Sequence, residues 1–434
     1  MLPESTEVLI VGAGPAGLTS AISLLKRGIK NITIVDAQER GQNTSRAIVI
    51  HARTVEELHD IGCSGPFIER GNHAKYMRVS KGQRRLVKAN FGTLKNITEF
   101  PYALLISQSE TEEILLDMLQ TFGVQVVRPL RVSDMQALPD GIKVVFESGE
   151  VVKAQYVVGA DGSRSTVRQL AKIPFKDLNG QDPHAELKGK DLTSDSTKFG
   201  LPLIIADVHL SEDARQSVPA DSISTFLGPL GFLLLVPLPP AKGDADAKPI
   251  YRMSCPPEKG AATVTLEYLQ KVADAALGLP KDRTPKVEEV LWSSRFRVRS
   301  AVADSFYKRF GGGIVLLAGD AAHVHSPAGG QGMNLGIRDA IQLGRVLSSI
   351  IELERAKASP ETIKAFSEKT LTEFSDERRK LATKVIKMTK LMTWATGLKA
   401  ATARSTRNAV WRLLGSTPIA PNRLALQLSG LQPA

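Results

Sequence analysis

Apolar and polar positions along the chain change period from block to block. Glu7–Val11 is a short aliphatic and β-branched run. From Leu18 to Arg27 the apolar residues Leu18, Ile22 and Leu25 fall at helical spacing, and Gly28 closes the segment. Asn31–Val35 is strand-like again and ends at Asp36. The pattern predicts one complete strand–helix–strand unit within about thirty residues. Two more strand–turn signatures lie far downstream, Tyr156–Gly162 and Gly313–Asp320, and the second leads through a glycine-rich turn into a helix starting near Asn334. Between them Tyr76–Phe91 alternates as a hairpin does, and Leu201–Pro237 holds strand-like runs broken by Pro and Gly. From Ser359 onward the pattern is helical, interrupted around Gly415–Asn422. The pieces of a nucleotide-binding unit are therefore dispersed, with strand-rich inserts between them.

Composition narrows the class. The chain has 434 residues, 42% hydrophobic and 23% charged, which is ordinary globular material for two or three domains. Cys63 and Cys255 cannot build a disulfide framework and show no metal-ligand spacing, so no metal is expected. The first residues carry no basic stretch followed by an apolar one, and the longest apolar runs, Phe232–Pro240 and Ile314–Ala318, fall short of the ~20 residues of a membrane span. We expect a soluble, cytoplasmic protein, monomeric or homodimeric. The net charge of +11 comes wholly from the C-terminus: eleven basic residues and no acid lie from Arg378 onward. A solvated basic face on C-terminal helices accounts for it; anionic-cofactor steering or weak membrane-surface contact are alternatives, and no nucleic-acid motif accompanies the charge.

Gly12, Gly14 and Gly17 have separate mechanical tasks. The first permits a tight turn, the second lets backbone approach a pyrophosphate, and the third allows close helix–strand packing. The following helix offers unpaired N–H groups to phosphate. Asp36, with Ala37 after it, ends the second strand where an acid can accept from a ribose diol. The run Gly319-Asp320 to Gly330, Gly332, Met333 and Asn334 repeats the logic: an acid at a strand end, then a glycine loop opening a helix whose N–H groups can face a ring oxygen or phosphate.

Four motifs in order now resemble the group A flavoprotein monooxygenases, the para-hydroxybenzoate hydroxylase and phenol hydroxylase family. They are Gly12–Gly17; Ser45-Arg46-Ala47 with His51 to Leu58, including Arg53; Gly159 to Ser165; and Gly319–Asn334. The resemblance implies a Rossmann-like α/β FAD-binding domain of glutathione-reductase type (1–75, 101–178 and 296–358). Interleaved with it would be a β-rich substrate domain (76–100 and 179–295), followed by C-terminal helices (359–434). It implies FAD held by Gly12, Gly14, Ala16, Gly17, Asp36, Ala37, Arg46, Arg53, Gln108, Asp161, Gly319, Asp320, Gly330, Gly332, Met333 and Asn334. Asp161 and Arg164 carry a second possible role toward NADPH or NADH.

The implied reaction is reduction of FAD by NAD(P)H, capture of O₂ as a C4a-hydroperoxide and transfer of one oxygen atom to a phenolic or other electron-rich ring. Decarboxylation, dearomatisation, epoxidation or ring expansion remain open as outcomes of the same chemistry, and a non-oxygenating flavoprotein as a remote one. Pro327 matches the family residue that lies against the substrate ring, and with Arg46 and His325 it forms the candidate catalytic set. His325 has two readings, a packed flavin-shell residue or a base for the substrate. Ile48 stands where phenol hydroxylases carry an acid, and no carboxylate-binding Arg–Ser–Tyr set is evident. Phe226, Phe232, Leu234 and Val236 suggest an apolar wall, hence an uncharged aromatic substrate. The Trp-x-Trp halogenase motif is absent, since the tryptophans are Trp292, Trp394 and Trp411. Neither a terminal anchor nor an appended thioredoxin-like domain is expected.

Overall fold

In the computed structural model, residues 2–39, 47–181, 202–212, 214–239, 248–258, 263–280, 282–297, 299–398 and 400–431 are described. The opening strand, Ser5–Val11, is central to an eight-stranded sheet, and its residues from Val8 to Val11 are buried. It pairs in parallel with Ile32–Val35 on one side and Val151–Gly159 on the other. Gly313–Leu317 and Val126–Val127 extend the parallel core outward. A parallel sheet covered on both faces calls for near-continuous aliphatic runs, which is what these strands carry. Antiparallel strands Val132–Leu138 and Gly141–Phe146 fold against Val151–Gly159, and Tyr307–Phe310 closes the far edge. The α/β character with a parallel, doubly covered sheet agrees with the fold expected from the sequence.

The helices Pro15–Lys26 and Gly332–Arg355 pack on this sheet and on each other. A Cβ on Gly344 would fall 2.2 Å from Ser23 Oγ, so the helices approach there at backbone distance.

A second sheet has seven strands, in the order Val287–Arg297, Pro202–Leu210, Ile250–Cys255, Gly231–Leu238, Ser222–Gly228, Tyr76–Lys81 and Arg84–Asn90. The last two form the hairpin that the alternation of Tyr76–Phe91 predicts. One face of this sheet packs on helix Leu266–Leu277 through Ile204, Leu233, Leu235 and Met253. The opposite face, through Ile223, Val236 and Leu238, joins an apolar cluster with Ile48, Val49 and Leu105 of the first unit.

The C-terminal segment forms helices Pro360–Thr396, Ala401–Gly415 and Ile419–Ser429. It is not simply a solvated basic face. Arg378 and Arg407 are buried, and Leu428 lies in the inter-unit cluster. Among the described residues no helix is long and apolar enough to cross a membrane.

Candidate functional site

The first glycine turn is built as its spacing demands. Gly12 has φ +104°, and a Cβ there would meet the Ala160 carbonyl oxygen at 2.3 Å. A Cβ on Gly17 would lie 1.8 Å from the Gly12 carbonyl oxygen. Before Gly14, by contrast, an added Cβ meets nothing within 4 Å, so this side of the turn is open. The helix it opens has no side-chain cap and no acid in its first turn. Its first N–H groups are therefore left for an anion. Asp36 stands beside the turn; one carboxylate oxygen accepts from Ala13 N–H at 2.6 Å and the other from Gln38 N–H at 2.7 Å. Ala37 is half-buried next to it.

A second helix N-terminus converges on the first. Gly319, at φ +62°, ends strand Gly313–Leu317, and a Cβ on it would be 2.9 Å from Ala16 Cβ. Gly336 lies against the same two residues. Asp320 follows on a short turn and is exposed. The buried carboxylate here is Asp339, three helical turns or less along Gly332–Arg355. It accepts from His323 Nε2 at 2.6 Å, Arg378 Nε at 2.6 Å and Gly319 N–H at 3.2 Å. Burial pushes its carboxyl upward, but Arg378 and His323 outweigh that and hold it below the usual carboxylate range. Asp339 thus fixes the turn that presents Asp320, and no short motif announced it.

The loop between them is held from several sides. Gly330 has φ +63° and would carry a Cβ 3.3 Å from Val49 Cβ. Its N–H donates to Pro327 O at 3.0 Å, closing a turn with Pro327 half-buried at its start. Asn334 donates to Val49 O at 2.8 Å and Gly330 O at 2.7 Å, and its oxygen accepts from His51 N–H at 2.7 Å. Its side chain is a staple, so what it offers a ligand is its backbone N–H. That N–H and those of Gly332 and Met333 form the first turn of an uncapped helix.

Two histidines face this loop. His51 Nε2 donates to Gly329 O at 2.8 Å and His325 Nδ1 to Ser326 O at 2.8 Å. Burial pushes both rings down to about 4, so both are neutral near pH 7. Their other ring nitrogens, His51 Nδ1 and His325 Nε2, are buried lone pairs without a protein partner. His325 is therefore able to accept a proton or hydrogen bond, although nothing in the chain organises it as a base.

Other predicted residues are placed differently from one another. Asp161 accepts from the Ser165 hydroxyl and from Val167 N–H, so it caps the short helix Thr166–Leu170, while Arg164 is exposed. Neighbouring Arg168, which the sequence did not single out, is buried and donates to Ala321 O at 2.8 Å and Ser163 O at 3.0 Å. It ties the Asp161 turn to the Asp320 turn. Gln108 opens helix Gln108–Thr121; its oxygen accepts from Ala47 N–H at 3.4 Å and its amide donates to Glu112 at 2.9 Å. Arg53 pairs with Glu56 and Glu57 on its own helix. Arg46 lies outside the described residues. Arg128, also missed, reaches Ala13 O at 3.4 Å from the end of the strand beside Asp36, with its Nε buried and unpaired.

The apolar wall needs one correction. Phe226 points to the helix Leu266–Leu277 side of the second sheet, with Leu233, Leu235 and Tyr251. Leu234 and Val236 point the other way, into the cluster that contains Val49. Phe232 packs further along with Val79, Leu86 and Trp411. Beside Val236 in register stands Arg252, buried and chelated by both oxygens of Asp207, its Nη2 at 2.8 Å. That pair cancels its own charge.

Two open helix N-termini, glycine turns without room for side chains, and orphaned buried nitrogens together fit a dinucleotide. Residues 5–389 match the family model described as FAD binding domain. The 6-methylpretetramide 4-monooxygenase of Streptomyces rimosus is 33% identical over 360 residues, 81% of this chain and 57% of that protein. Pentachlorophenol 4-monooxygenase of Sphingobium chlorophenolicum is 28% identical over 365 residues, 83% and 60% respectively. The chain thus spans about three fifths of the length of these curated relatives. A p-nitrophenol 4-monooxygenase from Pseudomonas putida superposes with TM-score 0.78 over 99% of both chains at 21% identity, a likeness of fold. The chain belongs to the FAD binding domain family.

Proposed function

We propose that this protein is an NAD(P)H-dependent FAD monooxygenase of the cytoplasm that inserts one oxygen atom into an uncharged, largely apolar aromatic substrate. One observation carries the substrate class. Val49 lies against Gly330 of the cofactor loop and shares an apolar cluster with Val236, Leu238 and Leu234 of the second sheet. The buried cation on that sheet face, Arg252, is already neutralised by Asp207, so the wall offers a carboxylate no receptor. Relatives named as monooxygenases of 6-methylpretetramide and pentachlorophenol support the reaction type.

In this reading the segments carrying the cofactor turns form one unit and the second sheet forms the substrate unit. Gly12, Gly14, Ala16 and Gly17 receive the pyrophosphate, and Asp36 the ribose. Asp320 and the N–H groups of Gly332 to Asn334 receive the flavin end, with Gln108 and Arg46 as further contacts. The bound flavin supplies electron transfer from NAD(P)H and the activation of O₂. The chain supplies position, dryness and partial positive charge: the N-terminus of helix Gly332–Arg355 stabilises negative charge on a ring placed before it. Neutral His325 accepts a hydrogen bond at Nε2, and Pro327 borders the space where the substrate ring is held. Arg164, exposed beside the Asp161 turn, is available to the transient nicotinamide cofactor.

Purified protein mixed with NADPH or NADH should bleach its flavin and consume O₂ faster in the presence of an uncharged phenol. Mass spectrometry of products formed under ¹⁸O₂ should show one labelled atom. Flavin reduction without label in any product across a panel of electron-rich rings would overturn the oxygenase reading.

A further inference from the structure

We propose that the C-terminal corner of the molecule docks onto an anionic lipid surface through a ring of basic residues around exposed Trp394 and leucine side chains. The inference rests on exposure and charge and does not depend on the reaction. Helix Ala401–Gly415 is fifteen residues long, yet Arg407 is its one buried residue. Apart from Trp411, which packs on the second sheet, its large apolar residues face outward instead: Leu413 is 70% exposed, and Val410 and Leu414 are about half exposed. The end of the preceding helix behaves alike, with Leu391 and Trp394 each 63% exposed. Arg407 fastens the two helices, its Nη1 donating to Ala395 O at 3.0 Å, so these side chains sit at one corner. A helix normally turns its apolar stripe inward. This one also turns a leucine and valine face to the outside, which marks a surface that meets something.

Charge identifies the partner. Along the long helix, Lys380, Lys384, Lys387, Leu391 and Trp394 recur at spacings of four and three and so run down one side. Arg412 and Arg423 are exposed on the next two helices, and no acid follows Glu377. A second copy bound about a two-fold axis would set this basic surface against itself, and from Arg378 onward the sequence has no carboxylate to pair with it. Lysines flanking tryptophan and leucine on a helix that lies flat are instead the pattern of an interfacial helix on anionic lipid. Among the described residues no span is available, so the attachment is peripheral and reversible.

The holoprotein should float with vesicles of phosphatidylcholine containing about a third phosphatidylglycerol, and stay behind with phosphatidylcholine alone. Raising salt should weaken the binding because the attraction is screened. Trp394→Ser with Leu413→Ser should abolish flotation while flavin absorbance, and hence the cofactor fold, stays intact. Lys380→Ala with Lys387→Ala should weaken it roughly 30-fold, at about ten-fold or less per charge. Three results would overturn the proposal. They are no flotation with anionic vesicles, equal flotation with neutral ones, or a dimer in light scattering that Leu413→Ser dissociates while vesicles bind neither form.

Discussion

The decisive perturbation is Asp339→Asn, which keeps shape and removes charge. The Asp339 side chain is fully buried and accepts from Arg378 Nε and His323 Nε2 at 2.6 Å each, and from Gly319 N–H at 3.2 Å. An amide has one accepting oxygen, so its NH₂ must face a donor on the other side, and Arg378 stays buried without a counter-charge. Removing one partner of a buried pair costs about 3–5 kcal/mol. At about 1.4 kcal/mol per decade the unfolding constant rises roughly 100-fold or more. Gly319 N–H and His323 share one carboxylate oxygen, and in the amide the turn carrying Asp320 keeps at most a neutral, weaker acceptor there, so FAD affinity should fall by up to about ten-fold. Urea unfolding followed by circular dichroism, and titration of apoprotein with FAD by flavin fluorescence, give the two numbers. Asp140→Asn, an exposed pair with Lys153, should leave both unchanged. Replacing the pair with Asp339→Leu and Arg378→Met should recover much of the stability and none of the affinity, because with leucine Gly319 N–H has no acceptor from residue 339 at all. The sign with pH is fixed: the carboxyl is held low, so its contribution is full above the ordinary carboxylate value of about 4 and is lost as pH falls through its lowered value. An Asp339→Asn protein with the parent's urea midpoint and FAD affinity would refute the reasoning.

Asp320→Ala should bind FAD about ten-fold more weakly or worse, having lost one or two charge-assisted hydrogen bonds at roughly 1.5–3 kcal/mol each, whereas His325→Ala should stay yellow; equal FAD affinity of Asp320→Ala and parent in the same titration would place the cofactor elsewhere. His51 and His325 are held at about 4 by burial, against about 6.5 unfolded, so stability should drop as pH falls from 6.5 toward 4, by up to roughly 3 kcal/mol for each ring. His325→Gln should remove about half of that slope in urea midpoints measured from pH 4.5 to 7.5, and an unchanged slope contradicts the assignment. Leu234→Ala should raise KM for an aromatic substrate with a modest change in Tm, while Phe226→Ala should lower stability by about 3–5 kcal/mol and leave KM alone. The opposite pairing would put the substrate on the other face of the sheet.

What a short stretch of chain can show, it showed. Gly12, Gly17 and Gly319 are dictated by positive φ or by backbone atoms a few residues away, so their spacing alone carried the geometry. Asp36 likewise touches Ala13 and Gln38 at the ends of one strand–helix–strand unit. The sequence reading put Phe226 and Leu234 in one apolar wall, whereas they lie on opposite faces of the second sheet. Strand alternation separates two faces but cannot say which one meets the first sheet's unit, because that depends on helix Leu266–Leu277 covering the other. Asp339 is harder still. Its one local trace is an acid inside an apolar helical stripe with Leu335 and Leu343, and its meaning comes from Arg378, thirty-nine positions later on another helix.

The same dependence explains why the C-terminal charge misleads when it is counted. Arg378 belongs by sequence to a basic run, but by position it is the counter-ion of the carboxylate that holds Gly319. The Ser326 hydroxyl shares a hydrogen bond of 2.6 Å with Thr393, and Gln331 donates to Leu428 O at 3.1 Å, so both ends of the Pro327–Asn334 turn are tied to C-terminal helices. Gly329, between them, would carry a Cβ 3.4 Å from Leu428. A glycine-rich loop has high conformational entropy and cannot hold backbone N–H groups in register by its own contacts. Preorganised donors require that the ordering be complete before the ligand arrives. In this chain that ordering is supplied from outside the loop, by Asn334 and His51 on one side and by Thr393 and Leu428 on the other. Two of those four lie beyond residue 389, where the family match ends. The helices Pro360–Thr396 and Ile419–Ser429 are therefore part of what orders the glycine-rich loop proposed to receive the flavin, and helix Ala401–Gly415, with its outward-facing leucines, is the segment that joins them.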